Sequence, residues 1–307
     1  ADVQMQQAIW HDLLSRVSLK DKKVVFTAPL LAPVGFRAAF ETLIYSCLKV
    51  KEARIVSPSW LIARAHTEPI CVVVDIGFHC TWITPYIEHS PVTQAVRRID
   101  IGGDMLTTHL RNQIYKLQQV CRRNYRMANE IKHSCCWIAR DYEAQKHHWQ
   151  GDADESTVRA VSYTPSTGKV IKDTEEIDDT SDAITLLNEQ ISIPEALFHP
   201  FLLKVNQMGI AEALMESINP FLPVAQRGFL HNIVLTGETA RFPGLTDRLA
   251  DEVTQNAPSG ARVRITNIQM NDALKGLASA RTLNTLDGFV HRDEYFKNSD
   301  EASAKLW

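Results

Sequence analysis

The residues Val72-Val73-Val74-Asp75-Ile76-Gly77-Phe78-His79-Cys80-Thr81-Trp82-Ile83-Thr84-Pro85-Tyr86 constrain the fold more than any other stretch of the chain. An apolar run ends in an acid and a glycine turn, then resumes as a second apolar run, which is the pattern of a buried hairpin. In a nucleotide-binding sheet such a hairpin aims turn amides at phosphate while its carboxylate organises a metal ion or a water. Here the turn carries Ile76, Phe78 and His79 around Gly77. Close approach of phosphate to backbone is what glycine permits, and bulky side chains at two of the tightest positions oppose it. The hairpin therefore predicts a phosphate-clamp fold whose clamp has lapsed.

At 307 residues the chain is long enough to bury a sizeable core and to form two lobes. Its 33 basic and 36 acidic residues leave a formal net charge of -3, so no global electrostatic attraction to nucleic acid or to an anionic membrane is expected. Cys47, Cys71, Cys80, Cys121, Cys135 and Cys136 are scattered without a CxxC pair, which predicts buried thiols in a reducing compartment. No apolar run approaches the roughly 20 residues of a spanning helix, and no signal-like segment is expected at the start. The expected location is cytosolic or nuclear. The adjacent pairs His147-His148 and Cys135-Cys136 point to different helix faces, so neither makes a metal site unaided. No GxSxG or HExxH occurs, and no nucleophile with a spaced base stands out.

Along the chain, residues 5–17 read as an amphipathic helix, Val24–Pro29 as a short buried strand, and residues 35–47 as a helix. Ala53–Val56 is a second strand and Ser59–Ala65 a further helical piece, an order that implies a parallel α/β layer. The hairpin opens another layer of the same kind, with a strand over 95–100 and a helix over 105–117. Between these two, Ile99-Asp100-Ile101-Gly102-Gly103-Asp104 is a glycine turn entering a helix, which either binds an anion at the helix start or is plain corner geometry. Residues 128–142 read as helical, and Val158–Tyr163 with Lys169–Lys172 as a β-hairpin. Asp173 to Asp182 is strongly acidic without EF-hand spacing: a solvated loop, or a contact for a basic partner. Pro194–Phe198 is expected to start a helix, Ile210–Ile218 to continue one, Asn232–Gly237 to form a strand, Gly244–Val253 a helix and Arg262–Ile265 a strand.

Three segments carry a resemblance. Val74-Asp75-Ile76-Gly77, Ile101-Gly102-Gly103-Asp104-Met105-Leu106-Thr107 and Val234-Leu235-Thr236-Gly237-Glu238-Thr239-Ala240-Arg241-Phe242-Pro243-Gly244 follow the order and spacing of the actin superfamily, and Pro194-Glu195-Ala196-Leu197-Phe198-His199-Pro200 strengthens the match. Thr84-Pro85-Tyr86, Val96-Arg97-Arg98-Ile99, Thr107-Thr108-His109-Leu110 and Gln207-Met208-Gly209-Ile210 are similar to its actin-related protein 6 class. The resemblance implies an α/β, actin-like, two-lobed fold of the ribonuclease H-like kind shared by heat-shock chaperones and sugar kinases. It also implies that the N-terminal phosphate hairpin and the second subdomain lie outside this sequence. Residues 1–59 and 271–307 are then a subdomain 1-like lobe, 60–98 and 206–270 a subdomain 3-like lobe, and 99–205 a subdomain 4-like lobe with a charged insertion at about 151–183.

The residual nucleotide cleft implied by the resemblance consists of Asp75, Gly77, Gly103, Lys132 and Gly237. Ile76, Phe78 and His79 replace a hydroxyl, an acid and a glycine of the family pattern. Asn129 and His133 stand where an Arg and a Glu are expected, and Glu238 replaces a second glycine. The catalytic glutamine falls near Ser57 or Pro58, neither of which orients an attacking water as an amide does. Each retained residue also has a plain reading: Gly77, Gly103 and Gly237 as turn glycines, Lys132 as a surface lysine, Asp75 as a cap. The expectation is a non-catalytic structural subunit of a nuclear, histone-variant-exchanging chromatin remodeller, with no metal and no cofactor beyond residual ATP. Its expected partners are remodeller subunits and histones, without sequence-specific nucleic-acid binding or membrane contact. The alternatives are an actin-like ATP-binding protein or ATPase, and a cytoskeletal, dynactin-type actin-related protein.

Overall fold

The computed structural model of the chain describes residues 3–14, 18–66, 68–117, 124–150, 160–172, 183–277 and 287–307. Its contacts form two compact units, Ala1–Ala65 with Met270–Trp307, and His66–Gln269. The acidic run 173–182 and Cys121 lie outside the described residues, as does most of the charged insertion.

In the first unit helix α1 (Val3–Leu14) precedes strand β1 (Lys23–Thr27), helix α2 (Val34–Thr42), strand β2 (Glu52–Val56) and helix α3 (Pro58–His66). β1 and β2 pair in parallel, Lys23 opposite Glu52, which requires the helical crossover that α2 supplies. The helix expected over 35–47 is α-helical only to Thr42, and Leu43–Cys47 widens into a π turn. That turn seats Tyr45, whose hydroxyl donates to the Val290 carbonyl at 3.0 Å. Val290–His291 adds antiparallel to β2. The buried Glu41 carboxylate accepts from Ser303 Oγ at 2.6 Å and from Trp307 Nε1 at 2.7 Å, which fastens the helix Ser299–Leu306 to α2.

The second unit holds the 71–87 hairpin. Its elements are β3 (Ile70–Ile76), β4 (Thr81–Ile87), β5 (Ser90–Pro91), β6 (Arg97–Ile99), α4 (Gly103–Leu117), α5 (Tyr125–Cys135), α6 (Tyr142–Gln150), β7 (Val161–Thr164), β8 (Lys169–Lys172), β9 (Ile184–Leu186), α7 (Glu189–Glu195), α8 (Ile210–Ile218), α9 (Pro223–His231), β10 (Ile233–Thr236), α10 (Leu245–Asn256) and β11 (Ile265–Asn267). The main sheet runs β11-β10-β3-β4-β5, with β6 on β4. β3 and β4 are antiparallel from Ile70 opposite Ile87 to Ile76 opposite Thr81, and β10 lies parallel to β3. Val72, Val73 and Val74 are all fully buried, so both faces of β3 are covered, which is why this strand reads as an unbroken apolar run. α8 packs on β4 and α9 on β3. A separate sheet, β8-β7-β9, contains the expected hairpin 161–172.

In the second unit three further expectations are corrected. The helix expected over 128–142 starts at Tyr125, capped by the Asn124 side chain, and stops at Cys135. Beyond it the Trp137 amide donates to the Gln190 carbonyl at 3.0 Å and the Ile138 amide to the Pro243 carbonyl at 2.8 Å, so those donors leave the helix. Pro194 lies near the end of α7 instead of opening a helix. In an α-helix its missing N–H would have bonded the Gln190 carbonyl, and the Trp137 amide takes that place. The strand expected at 262–265 begins only at Ile265, because the Arg264 amide turns to the Leu230 carbonyl before pairing with β10 starts.

Candidate functional site

β3 and β10 end side by side, Asp75 level with Thr236, so the residues after them line a crevice at the carboxyl ends of parallel strands, the usual ligand position in an open α/β sheet. All five sequence-predicted residues meet there, with Asp75 at the end of β3. Gly77 follows β3, Gly237 follows β10, Gly103 opens α4 and Lys132 reaches in from α5.

Their geometry is self-contained. The Gly77 amide donates to Cys80 O at 3.1 Å and closes the turn. Gly77 O and Phe78 O accept from the first amides of α4, Gly103 N at 2.9 Å and Asp104 N at 2.8 Å. The start of a helix offers unpaired N–H groups that attract anions. Here two of them are already satisfied by turn carbonyls, and the Asp104 carboxylate adds negative charge in the first turn. The anion-binding reading of this corner therefore gives way to the geometric one.

Lys132 completes the closure. Its ammonium donates to Gly103 O at 2.9 Å, Thr107 Oγ1 at 2.7 Å and Asn129 Oδ1 at 3.0 Å. Three protons meet three acceptors, all from the protein. The side chain is 1% exposed, so the surface-lysine reading is wrong. Burial pushes its pKa down to about 8, with Cys136 and Asp104 pulling weakly upward. Thr107 was missed in the sequence; it stands one helical turn after Gly103, and the pair Asn129 and Lys132 share a face of α5 at i, i+3 spacing.

The glycines have internal reasons to be glycine. Gly237 has φ +99°, and a Cβ there would lie 2.2 Å from Ile76 O. At Gly103 it would lie 2.9 Å from Thr239 Oγ1, so the missing side chain makes room for the Thr239 hydroxyl, with Lys132 Nζ at 3.4 Å. Asp75 differs from the rest. Its Oδ1 faces the notch, 3.3 Å from where a Gly237 Cβ would be. Burial raises its pKa, and no cation beside it among the described residues pulls the value back.

The replaced positions are accounted for in the same way. Phe78 is 52% exposed and meets His79 edge to face at 4.7 Å and Tyr125 at 6.4 Å. Tyr125 in turn donates to Asp104 Oδ1 at 2.7 Å. His133 stacks on Phe242 at 5.9 Å, and burial with the neighbouring Lys132 keeps its pKa low. Glu238 is held outward by Arg241 at 3.2 Å. In the first unit, Ser57 Oγ accepts the Trp60 amide at 3.0 Å and so serves the start of α3. Among the described residues no three His, Cys, Asp or Glu side chains converge as metal ligands, and no helix is long and apolar enough to cross a membrane. Cys71, Cys135 and Cys136 are buried, and burial raises the first two thiols to about 12 and about 11, leaving them unreactive.

A sequence profile described as actin matches residues 1–125 and 113–276. The chain belongs to the actin family. Actin-related protein 6 of Drosophila melanogaster is 28% identical over 286 residues, covering 85% of this chain and 71% of the fly protein. Actin-like protein C08B11.6 of Caenorhabditis elegans is 28% identical over 285 residues, 87% of this chain and 66% of the worm protein. Actin-like protein ARP6 of Saccharomyces cerevisiae is 26% identical over 244 residues, 76% of this chain and 55% of the yeast protein. The chain thus spans between about half and seven-tenths of the length of these curated relatives. At the strand-end crevice the Gly103 and Asp104 amides and the Lys132 ammonium end on protein acceptors.

Proposed function

We propose that this actin-family chain is a non-catalytic structural subunit that docks protein partners within a nuclear chromatin-remodelling assembly of the histone-variant-exchanging type. The observation that carries the non-catalytic part is the closed network around Gly103: two α4 amides and all three Lys132 protons end on protein oxygen. Phosphoryl transfer relies on several positioned donors acting together, so engaging them elsewhere removes turnover instead of trimming it. Similarity to proteins named actin-related protein 6 supports the remodeller setting through the class the motifs resemble. The test is steady-state phosphate release from ATP by the purified chain. Background rates are expected; turnover that disappears in Asp75→Ala would sink the scaffold role.

A second reading, nucleotide binding without cleavage, is favoured by Asp75 alone, whose half-buried carboxylate faces a notch lined by Gly77 and Gly237. A Mg-ATP complex held there through the metal would lose affinity sharply in Asp75→Asn, which equilibrium binding would reveal.

A further inference from the structure

We propose that the β3–β4 turn and the start of α4 form a dock for an arginine side chain of a partner protein, the reverse of an anion site. The groups facing outward here are acceptors and aromatic faces. Gly103 N, Asp104 N and the Lys132 ammonium are engaged internally, and Arg241 is paired with Glu238. What is left for a ligand is the Asp75 carboxylate facing the glycine notch and the Asp104 carboxylate, of which only Oδ1 takes the Tyr125 hydroxyl. Phe78 projects from the same turn, half exposed, with its ring at 72° to that of His79 and 71° to that of Tyr125. A tight turn gains nothing in core packing from an exposed phenylalanine. The Phe78 carbonyl bonds the Asp104 amide at 2.8 Å, which fixes the ring-bearing residue next to the carboxylate. A guanidinium is planar and weakly hydrated, stacks on an aromatic face and forks to a carboxylate with its edge, so it uses both features at once. A lysine ammonium uses the charge but not the flat face.

An arginine dock presupposes the docking role proposed above. ATP turnover would sink that role, whereas failure of peptide binding sinks the dock alone. The experiment is fluorescence anisotropy of labelled octa-arginine with the purified chain, in parallel with Phe78→Ala, Asp104→Asn and a deletion of residues 173–182. Phe78→Ala should weaken binding about 3- to 30-fold with an unchanged melting temperature, since its ring is exposed. Asp104→Asn should weaken it and flatten its salt dependence. Octalysine should bind less tightly than octa-arginine, and the gap should close in Phe78→Ala. Binding that is indifferent to Phe78 and Asp104 but lost on deleting 173–182 would place the basic segment on the acidic run and overturn the dock. Absence of saturable binding would overturn it as well.

Discussion

Lys132 and Glu195, the two most deeply buried charges among the described residues of the second unit, are held in opposite ways. Lys132 is surrounded by neutral oxygens: a carbonyl, a hydroxyl and an amide, one for each proton. Glu195, fully buried at the end of α7, is held by charge: its Oε1 accepts from Arg248 at 3.2 Å and from His199 Nδ1 at 2.8 Å, while Oε2 has no partner among the described residues. Arg248 is itself forked, donating to Glu252 at 2.5 Å and to the Ala139 and Arg140 carbonyls. The anion therefore belongs to an ion-pair network that ties α10 to α7 and to the segment after α5, and removing a partner exposes the charge. The Lys132 ammonium bonds no carboxylate directly, and Asp104 acts on it only at longer range. The Lys132 ammonium is a staple between α4 and α5, and that difference separates a neutral closed network from a charged one.

The contrast is broken most severely at Arg248. Arg248→Ala leaves Glu195 buried without its cation and should cost about 3–5 kcal/mol, read by urea unfolding. A double change with Glu195→Ala should recover part of that loss. A cost no greater than that of an exposed arginine would mean the pair carries no weight. Lys132→Met is next. It removes the charge without a cavity but strips donors from Gly103 O, Thr107 and Asn129, for an expected loss of about 2–3 kcal/mol by the same method. A neutral or stabilising result would show that the ammonium is not the staple.

The two charges should also respond oppositely to pH. The folded Lys132 titrates near about 8 against a usual 10.5, so the unfolded chain holds more protons between those values and stability should rise as pH increases through that window. The difference between those two values corresponds to about 3 kcal/mol gained across the window. Glu195 runs the other way. Burial, opposed by Arg248 and His199, raises its folded pKa, so its contribution is greatest in acid and declines as pH climbs from 4.5 toward the raised value. Comparing unfolding curves of wild type with Lys132→Met and Glu195→Gln isolates each slope; identical slopes would contradict the assignment. The smallest effect belongs to Glu238→Gln, where an exposed pair is lost and stability should stay within about 0.5 kcal/mol. A larger loss would mean Glu238 supports the crevice after all.

The hairpin was legible because its signal is local: β-branched residues buried on both faces, an acid and a glycine turn specify β3, the turn and β4 within one window. Asp75, Gly77, Gly103 and Gly237 were legible for the same reason, since strand ends and turns announce themselves. The fate of Lys132 was not. Its acceptors Gly103 and Thr107 lie 29 and 25 residues earlier, and nothing in the helix that bears it marks it as buried. The end of α5 was hidden because the Trp137 and Ile138 amides leave for Gln190 and Pro243, far along the chain. Pro194 misled because proline more often opens a helix than sits in its last turn. The helices Arg292–Lys297 and Ser299–Leu306 escaped notice because both are short, charged and mostly exposed, with few apolar positions to set a period.

In this crevice Gly103 N, Asp104 N and the Lys132 ammonium are already engaged by protein oxygen. Calorimetric titration of the purified chain with ATP and magnesium tests it most directly. Each charged hydrogen bond withheld from the phosphates forfeits about 1.5–3 kcal/mol, so the loss of several should leave weak or undetectable binding. A sub-micromolar dissociation constant would contradict the claim, because it would require Lys132 and the first turn of α4 to abandon their internal partners for the nucleotide.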